Sequence, residues 1–145
     1  MENKNEEEIR KLSVELRFLE QTAETLQSRI QMVNTVIADL TYSNMTLEGV
    51  EKEKENSELL VPIGGSSYIK AKLANTDKVI VGMGAGVSVE KTFPEAKEIV
   101  KKRLDDLGKS RLSLQQQFTE VAEKINSDRQ RFERLVSEMR QGKPQ

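Results

Sequence analysis

Apolar residues recur along the first third of the chain at alternating steps of three and four. Ile9, Leu12, Leu16, Leu19, Ala23, Leu26, Ile30, Val33, Ile37, Leu40, Asn44 and Leu47 form the row, and eleven of the twelve are apolar. A heptad seam sustained this long predicts a coiled-coil helix. Neither Pro nor Gly interrupts it before Gly49. The last third repeats the pattern. Val100, Leu104, Leu107, Arg111, Leu114, Phe118, Val121, Ile125, Asp128, Phe132, Leu135 and Met139 form a second row, ten of the twelve apolar. Thr92 and Glu95 have capping-box spacing, and Pro94 stands where a first-turn proline is tolerated, so a helix start is expected there. Gly142 and Pro144 mark its expected end.

The two seams are matched in length, as an antiparallel hairpin requires, and each predicts a helix of about 57 Å. In that register Leu47 falls near Val100 and Ile9 near Met139. Arg111 then faces Ile37, Asp128 faces Leu19 and Asn44 faces Leu104. Polar groups at core-facing positions weaken a coiled coil but help to fix its register; the alternative, preferred for Arg111, is that these side chains reach out to water.

Between the seams the period changes. Glu48 to Glu58 reads as a charged linker. In Leu59 to Thr92 the alternation has period two: Tyr68, Lys70 and Lys72 against Ile69, Ala71 and Leu73; Val79, Val81 and Met83 against Ile80 and Gly82; Val87 and Val89 against Ser88 and Glu90. Period two means strands. Turn signals at Gly64-Gly65, Asn75-Thr76-Asp77 and Gly84-Ala85 divide them into four short strands, or two hairpins. Such a small sheet has open edges, which proteins usually block or pair. Few charges stand near Val79 to Val89, so pairing with strands of other chains is expected. The alternative is a small sheet closed on itself. The expected division is therefore residues 1–56 as helix and linker, 57–92 as assembly region, and 93–145 as helix and tail.

Composition narrows the chemistry. Charged residues make up 32% and aromatic residues 4% of the 145, too little apolar surface for a large globular core but enough for a narrow seam. The net charge of −1 argues against nucleic acid as the main partner. Lys101-Lys102-Arg103, the densest basic run, reads as a solvated helix face. With no Cys and no His, disulfides, common zinc sites and histidine acid–base catalysis are excluded. Gly82-Met83-Gly84-Ala85-Gly86 has Val87 where a dinucleotide fingerprint needs its third glycine, so a bent or bulged strand is the better reading. Gly64-Gly65-Ser66-Ser67 lacks the lysine of a P-loop. No enzyme and no cofactor are expected. Met1 to Glu8 is acidic without an apolar run, and Val79 to Val89 is too short and Gly-rich to span a membrane as a helix. Asn44-Met45-Thr46 matches a glycosylation acceptor, but without a secretion signal it reads as chance. A cytoplasmic protein without membrane contact is expected.

Apolar residues off the seam suggest a surface. Val14 and Phe18 stand at i, i+4 on the outward face of the first helix, near its free end, and Val136 lies off the seam near the free end of the second. With Ile9, Leu12, Leu135 and Met139 at a fraying tip, they read either as an adaptable apolar patch or as scattered surface hydrophobics that need no explanation.

Leu60-Val61-Pro62-Ile63-Gly64-Gly65-Ser66-Ser67-Tyr68-Ile69-Lys70-Ala71, followed by Val81-Gly82-Met83-Gly84-Ala85-Gly86-Val87-Ser88-Val89-Glu90-Lys91, resembles the alpha-type subunit of archaeal prefoldin. The resemblance extends to the whole layout of helix, two hairpins and helix. It implies an α+β fold: a long antiparallel coiled-coil hairpin whose two short β-hairpins form an intersubunit β-barrel. It implies an ATP-independent holding chaperone with two alpha-type and four beta-type subunits, whose tips capture non-native client proteins and pass them to a chaperonin. Carried onto this chain, the assembly residues would be Leu60, Val61, Ile63, Tyr68, Ile69, Leu73, Val79, Val81, Met83, Val87 and Val89. The client-binding tips would comprise Ile9, Leu12, Val14, Leu16 and Phe18 with Phe132, Leu135, Val136 and Met139. Open strand edges leave a second possibility, a homo-oligomeric scaffold or filament joined through the same hairpins.

Overall fold

The computed structural model describes residues 2–74 and 77–142. Helix α1 spans Glu2–Glu51 and helix α2 spans Phe93–Gly142; between them lie β1 (Glu58–Gly64), β2 (Ser67–Lys72), β3 (Lys78–Gly84) and β4 (Val87–Thr92). This is the predicted order of elements. The chain forms two compact units: one from Met1–Thr35 with Gly108–Gln145, the other from Val36–Leu107. The turn expected at Asn75-Thr76 and the terminal Pro144 lie outside the described residues.

In the first unit the seam is a row of leucines. Leu12, Leu19, Leu26 and Leu135 are buried. Burying one such side chain contributes about 1.5–3 kcal/mol, so a few of them decide whether the helices pair. Cross-helix contacts fix the antiparallel direction. Glu8 pairs with Arg131, Lys124 Nζ lies 3.0 Å from Glu15 Oε1, and Arg129 Nη2 lies 2.8 Å from Glu20 Oε1. The hydrogen bond that Lys124 donates to the Glu15 carboxylate raises the pKa of its ammonium above the ordinary value. All are open to water, which screens them, so they select register more than they stabilise.

The polar seam positions differ from one another. Arg111 Nη1 donates to Asn34 Oδ1 at 3.3 Å, one turn from the expected level of Ile37. Asp128 is half-buried, and its Oδ2 has no hydrogen-bond partner among the described residues. That oxygen weakens the seam locally, because an unpartnered polar atom there still loses its water.

In the second unit the core lies at the start of α2. Phe93, Ala96 and Val100 are buried, Ala96 completely. The capping box forms as its spacing predicts. The Glu95 amide donates to Thr92 Oγ1 at 3.3 Å, and the Thr92 hydroxyl donates to Glu95 Oε1 at 2.9 Å. The second bond holds the Glu95 carboxyl below its usual range. Beside the start of α2, α1 runs through Gly49 to Glu51 rather than stopping where a charged linker was expected. Gly costs about 1 kcal/mol inside a helix. Half-buried Val50 and the ion pair between Glu51 and Lys97 carry the helix past it.

The four strands make two separate antiparallel two-stranded sheets, β1–β2 and β3–β4. Their registers are the same, displaced by twenty residues: Val61 lies opposite Ile69 as Val81 lies opposite Val89, and Gly64 opposite Ser67 as Gly84 opposite Val87. Each hairpin carries one irregularity next to its turn, at Ile63 and at Met83. Gly65 and Ser66, like Ala85 and Gly86, all have positive φ. Two central residues with positive φ define a type I′ turn, whose twist matches that of the flanking strands. The sequence therefore holds one hairpin design twice.

Candidate interaction surfaces

Residues opposite one another in a hairpin point their side chains to the same face. On one face of the first hairpin this groups Leu59, Val61, Ile69 and Ala71; on the second it groups Val79, Val81 and Val89 with Lys91. These faces are mostly apolar and only partly covered. Val61 and Ile69 are about half exposed, and Leu60, Ile63, Tyr68, Met83 and Val87 are exposed as well. Val79 and Val81 are half-buried, and Leu73 lies half-buried just beyond β2. A lone two-stranded hairpin is marginal in water, so two of them with bare apolar faces are built to be covered.

Backbone direction can be assigned as well. Leu73 N donates to Ser57 O at 2.9 Å and Leu73 O accepts from Asn56 N at 2.8 Å, so Leu73 faces inward across the hairpin. Direction alternates along a strand. Lys72, Lys70 and Tyr68 therefore turn their backbone groups to the free edge of β2, and their partners Glu58, Leu60 and Pro62 do so on β1. Proline has no N–H, so the β1 edge lacks a donor at Pro62. The matching position on β3 is Gly82, and its carbonyl is occupied: Arg103 Nη2 donates to Gly82 O at 2.8 Å and lies 3.8 Å from Met83 Sδ. Sequence reasoning placed Arg103 in a solvated basic run. Lys101 and Lys102 are exposed, but Arg103 spans from α2 to the β3 edge. No local signal in the sequence marks it, because the contact depends on how α2 leaves the sheet.

At the free ends of the helices the nine expected tip residues divide into three groups. Leu12 and Leu135 are buried in the seam. Ile9, Leu16, Phe132, Val136 and Met139 are half-buried, and Ile9, Val136 and Met139 line a recess of about 280 Å³ with Arg140. Val14 and Phe18 are 67% and 66% exposed, which leaves most of each side chain free for a partner. They line a groove of about 540 Å³ with Arg10, Lys11 and Glu15. A second groove of about 540 Å³ starts at Phe18 and follows Thr22, Thr25 and Leu26 toward Val121 of α2. The Thr22 and Thr25 hydroxyls donate to the carbonyls of Phe18 and Gln21 at 2.9 and 3.0 Å. With their hydroxyls turned onto the backbone, these walls are less polar than their sequence suggests. Among the described residues no helix is long and apolar enough to cross a membrane.

Comparison with known proteins agrees with this architecture. The family model described as "Prefoldin subunit" matches residues 19–138. The prefoldin subunit alpha of Methanococcoides burtonii is 34% identical over 127 residues, covering 88% of this chain and 92% of its own. That of Pyrococcus horikoshii is 31% identical over 122 residues, covering 83% and 82%. Among solved structures, a chain of the filamentous PFD from Methanocaldococcus jannaschii superposes with a TM-score of 0.67 at 30% identity, covering 77% of this chain and 92% of that one. With helix, paired hairpins and helix in the same order, and the match running through most of its length, the chain belongs to the prefoldin family and is similar to its archaeal alpha-type subunits.

Proposed function

We propose that this chain is a subunit of an ATP-independent holding chaperone, joined to other subunits through its hairpins and binding non-native proteins with the free ends of its helices. The observation that carries the reading is the exposure of Val14 and Phe18 on the same stretch of α1 as Ile9, which lines a recess with Val136 and Met139; Met32, Tyr42, Met45 and Leu112 are exposed farther along the helices, and most other large apolar residues enter the seam. An unfolding protein presents unspecific apolar segments. Open grooves lined by Phe, Val and Met suit such partners, because they tolerate many shapes. Burying one Val or Phe contributes about 1.5–3 kcal/mol, so one chain binds weakly and several chains in one assembly bind well.

Leu12, Leu16, Phe132 and Leu135 support this surface from within, and become contacts themselves where the ends fray. The bare hairpin faces are assigned to assembly, with residues 57–92 as the joining region. The partners are beta-type prefoldin subunits, two alpha with four beta around a β-barrel, or further copies of this chain. A chaperonin is the proposed recipient of clients, and the cytoplasm the proposed compartment. A second reading is a homo-oligomeric filament; the likeness to a filamentous PFD supports it. The two are compatible if a filament leaves its helix ends free.

The test is light scattering from an unfolding protein, without ATP, in the presence of this chain alone or with beta-type subunits. Suppression of aggregation is expected in at least one of the two forms. Aggregation at the uninhibited rate in both would overturn the holding function.

A further inference from the structure

The four strand edges are not equivalent, and this sets which strands meet when copies of this chain join. The inference rests on assembly through the hairpins, as proposed above, and adds its direction. Among outward-facing backbone groups, the β1 edge lacks a donor at Pro62, and the β3 edge has its Gly82 carbonyl taken by Arg103. Both closures lie at the turn end of the strand and shorten the ladder that a neighbour could build there. The β2 edge offers complete donor–acceptor sets at Tyr68, Lys70 and Lys72. The β4 edge offers them at Ser88 and Glu90 before Thr92 enters the helix cap.

Charge then chooses between the open edges. Lys70 and Glu90 occupy equivalent positions in the two hairpins, and both are exposed. An antiparallel β2–β2 pairing sets Lys70 against its own copy or, shifted along, against Lys72, and a β4–β4 pairing centred on Glu90 sets it against its own copy. Like charges directly opposite one another destabilise a ladder, whereas opposite charges support it. We propose that β2 of one copy lies antiparallel beside β4 of a second, with Lys70 opposite Glu90. In that register Tyr68 meets Thr92 and Lys72 meets Ser88, and Tyr68, Lys70, Lys72, Ser88 and Glu90 turn their backbone groups toward the junction. The contact is heterologous, first hairpin to second, so each chain carries both halves of the junction and can extend to a further copy or close a ring.

The experiment is sedimentation of the chain alone over a range of concentrations, with Lys70→Glu, Glu90→Lys and the double variant. Each single reversal puts like charges together and is expected to raise the midpoint concentration of self-association about tenfold. The double variant is expected to return it to the parent value. Leu60→Pro, which removes a donor from the β1 edge, is expected to leave the midpoint within about twofold, whereas Lys70→Pro abolishes association. Singles without effect, a double no better than the singles, or a chain that stays monomeric throughout would overturn the β2–β4 junction. Val81→Pro, which breaks the second hairpin itself, separates the two levels. If it abolishes assembly while the charge variants do nothing, the hairpins still join chains and only the edge assignment falls. If assembly survives it, the hairpin reading falls as well.

Discussion

Replacing Val14 and Phe18 together by serine should cost most of the holding activity and almost none of the stability. The two side chains stand 67% and 66% exposed, so neither contributes much to the packed seam. Substitutions at such positions usually change stability by no more than about 0.5 kcal/mol. A bound client would cover both. If half of each side chain's full burial is realised, about 1.5–3 kcal/mol per chain is lost, or roughly a tenfold to hundredfold weakening before any effect of multiple chains. Leu12→Ser is the informative contrast. Leu12 is 5% exposed in the seam, and its loss should destabilise the helix pair by about 2–4 kcal/mol. Client titration beside thermal unfolding checks both. The double variant should lose holding at an unchanged unfolding temperature, and Leu12→Ser should lower that temperature.

The second large effect is expected in the hairpins. Val61 and Val81 stand at equivalent places, opposite Ile69 and Val89, and both turn their backbone groups inward across the hairpin. Proline at either position removes a ladder donor and leaves its partner carbonyl without one. A loss of about 2–3 kcal/mol is expected, which is large against a hairpin that is marginal by itself. Assembly should weaken by roughly 30- to 150-fold. The helices carry their own seam, so helical circular dichroism should stay within a few per cent of the parent. Sedimentation and circular dichroism of the two variants check this. Equal sensitivity at Val61 and Val81 would indicate that both hairpins take part in joining chains.

Most of this fold is legible in the sequence because it is periodic. Heptads name the helices, and alternation with glycine pairs names the hairpins. The capping box at Thr92 and Glu95 forms as its spacing predicts, because it needs no tertiary partner. The misread places are those where long-range contacts decide. Gly49 looked like a helix end, but Val50 and the Glu51–Lys97 pair carry α1 past it. Arg103 looked like part of a solvated run, and its bond to Gly82 crosses twenty-one positions of chain. The candidate surfaces were half legible. Val14 and Phe18 stand off the seam and can be found by counting heptads. The division of the tip into buried Leu12 and Leu135 and free Val14 and Phe18 needs the packed helices. The direction of each strand edge follows from Leu73 bonding inward, which no residue type announces.

On this reading the helix ends meet the client while the hairpins hold the assembly together. A photo-crosslinking side chain at position 18, compared with one at the exposed, outward Gln116 and one at Ile69 in the hairpin, tests it most directly. With an unfolding protein present, position 18 is expected to capture the client, position 69 another subunit, and position 116 neither in quantity. Client captured at position 116 or 69 as readily as at position 18 would contradict the claim.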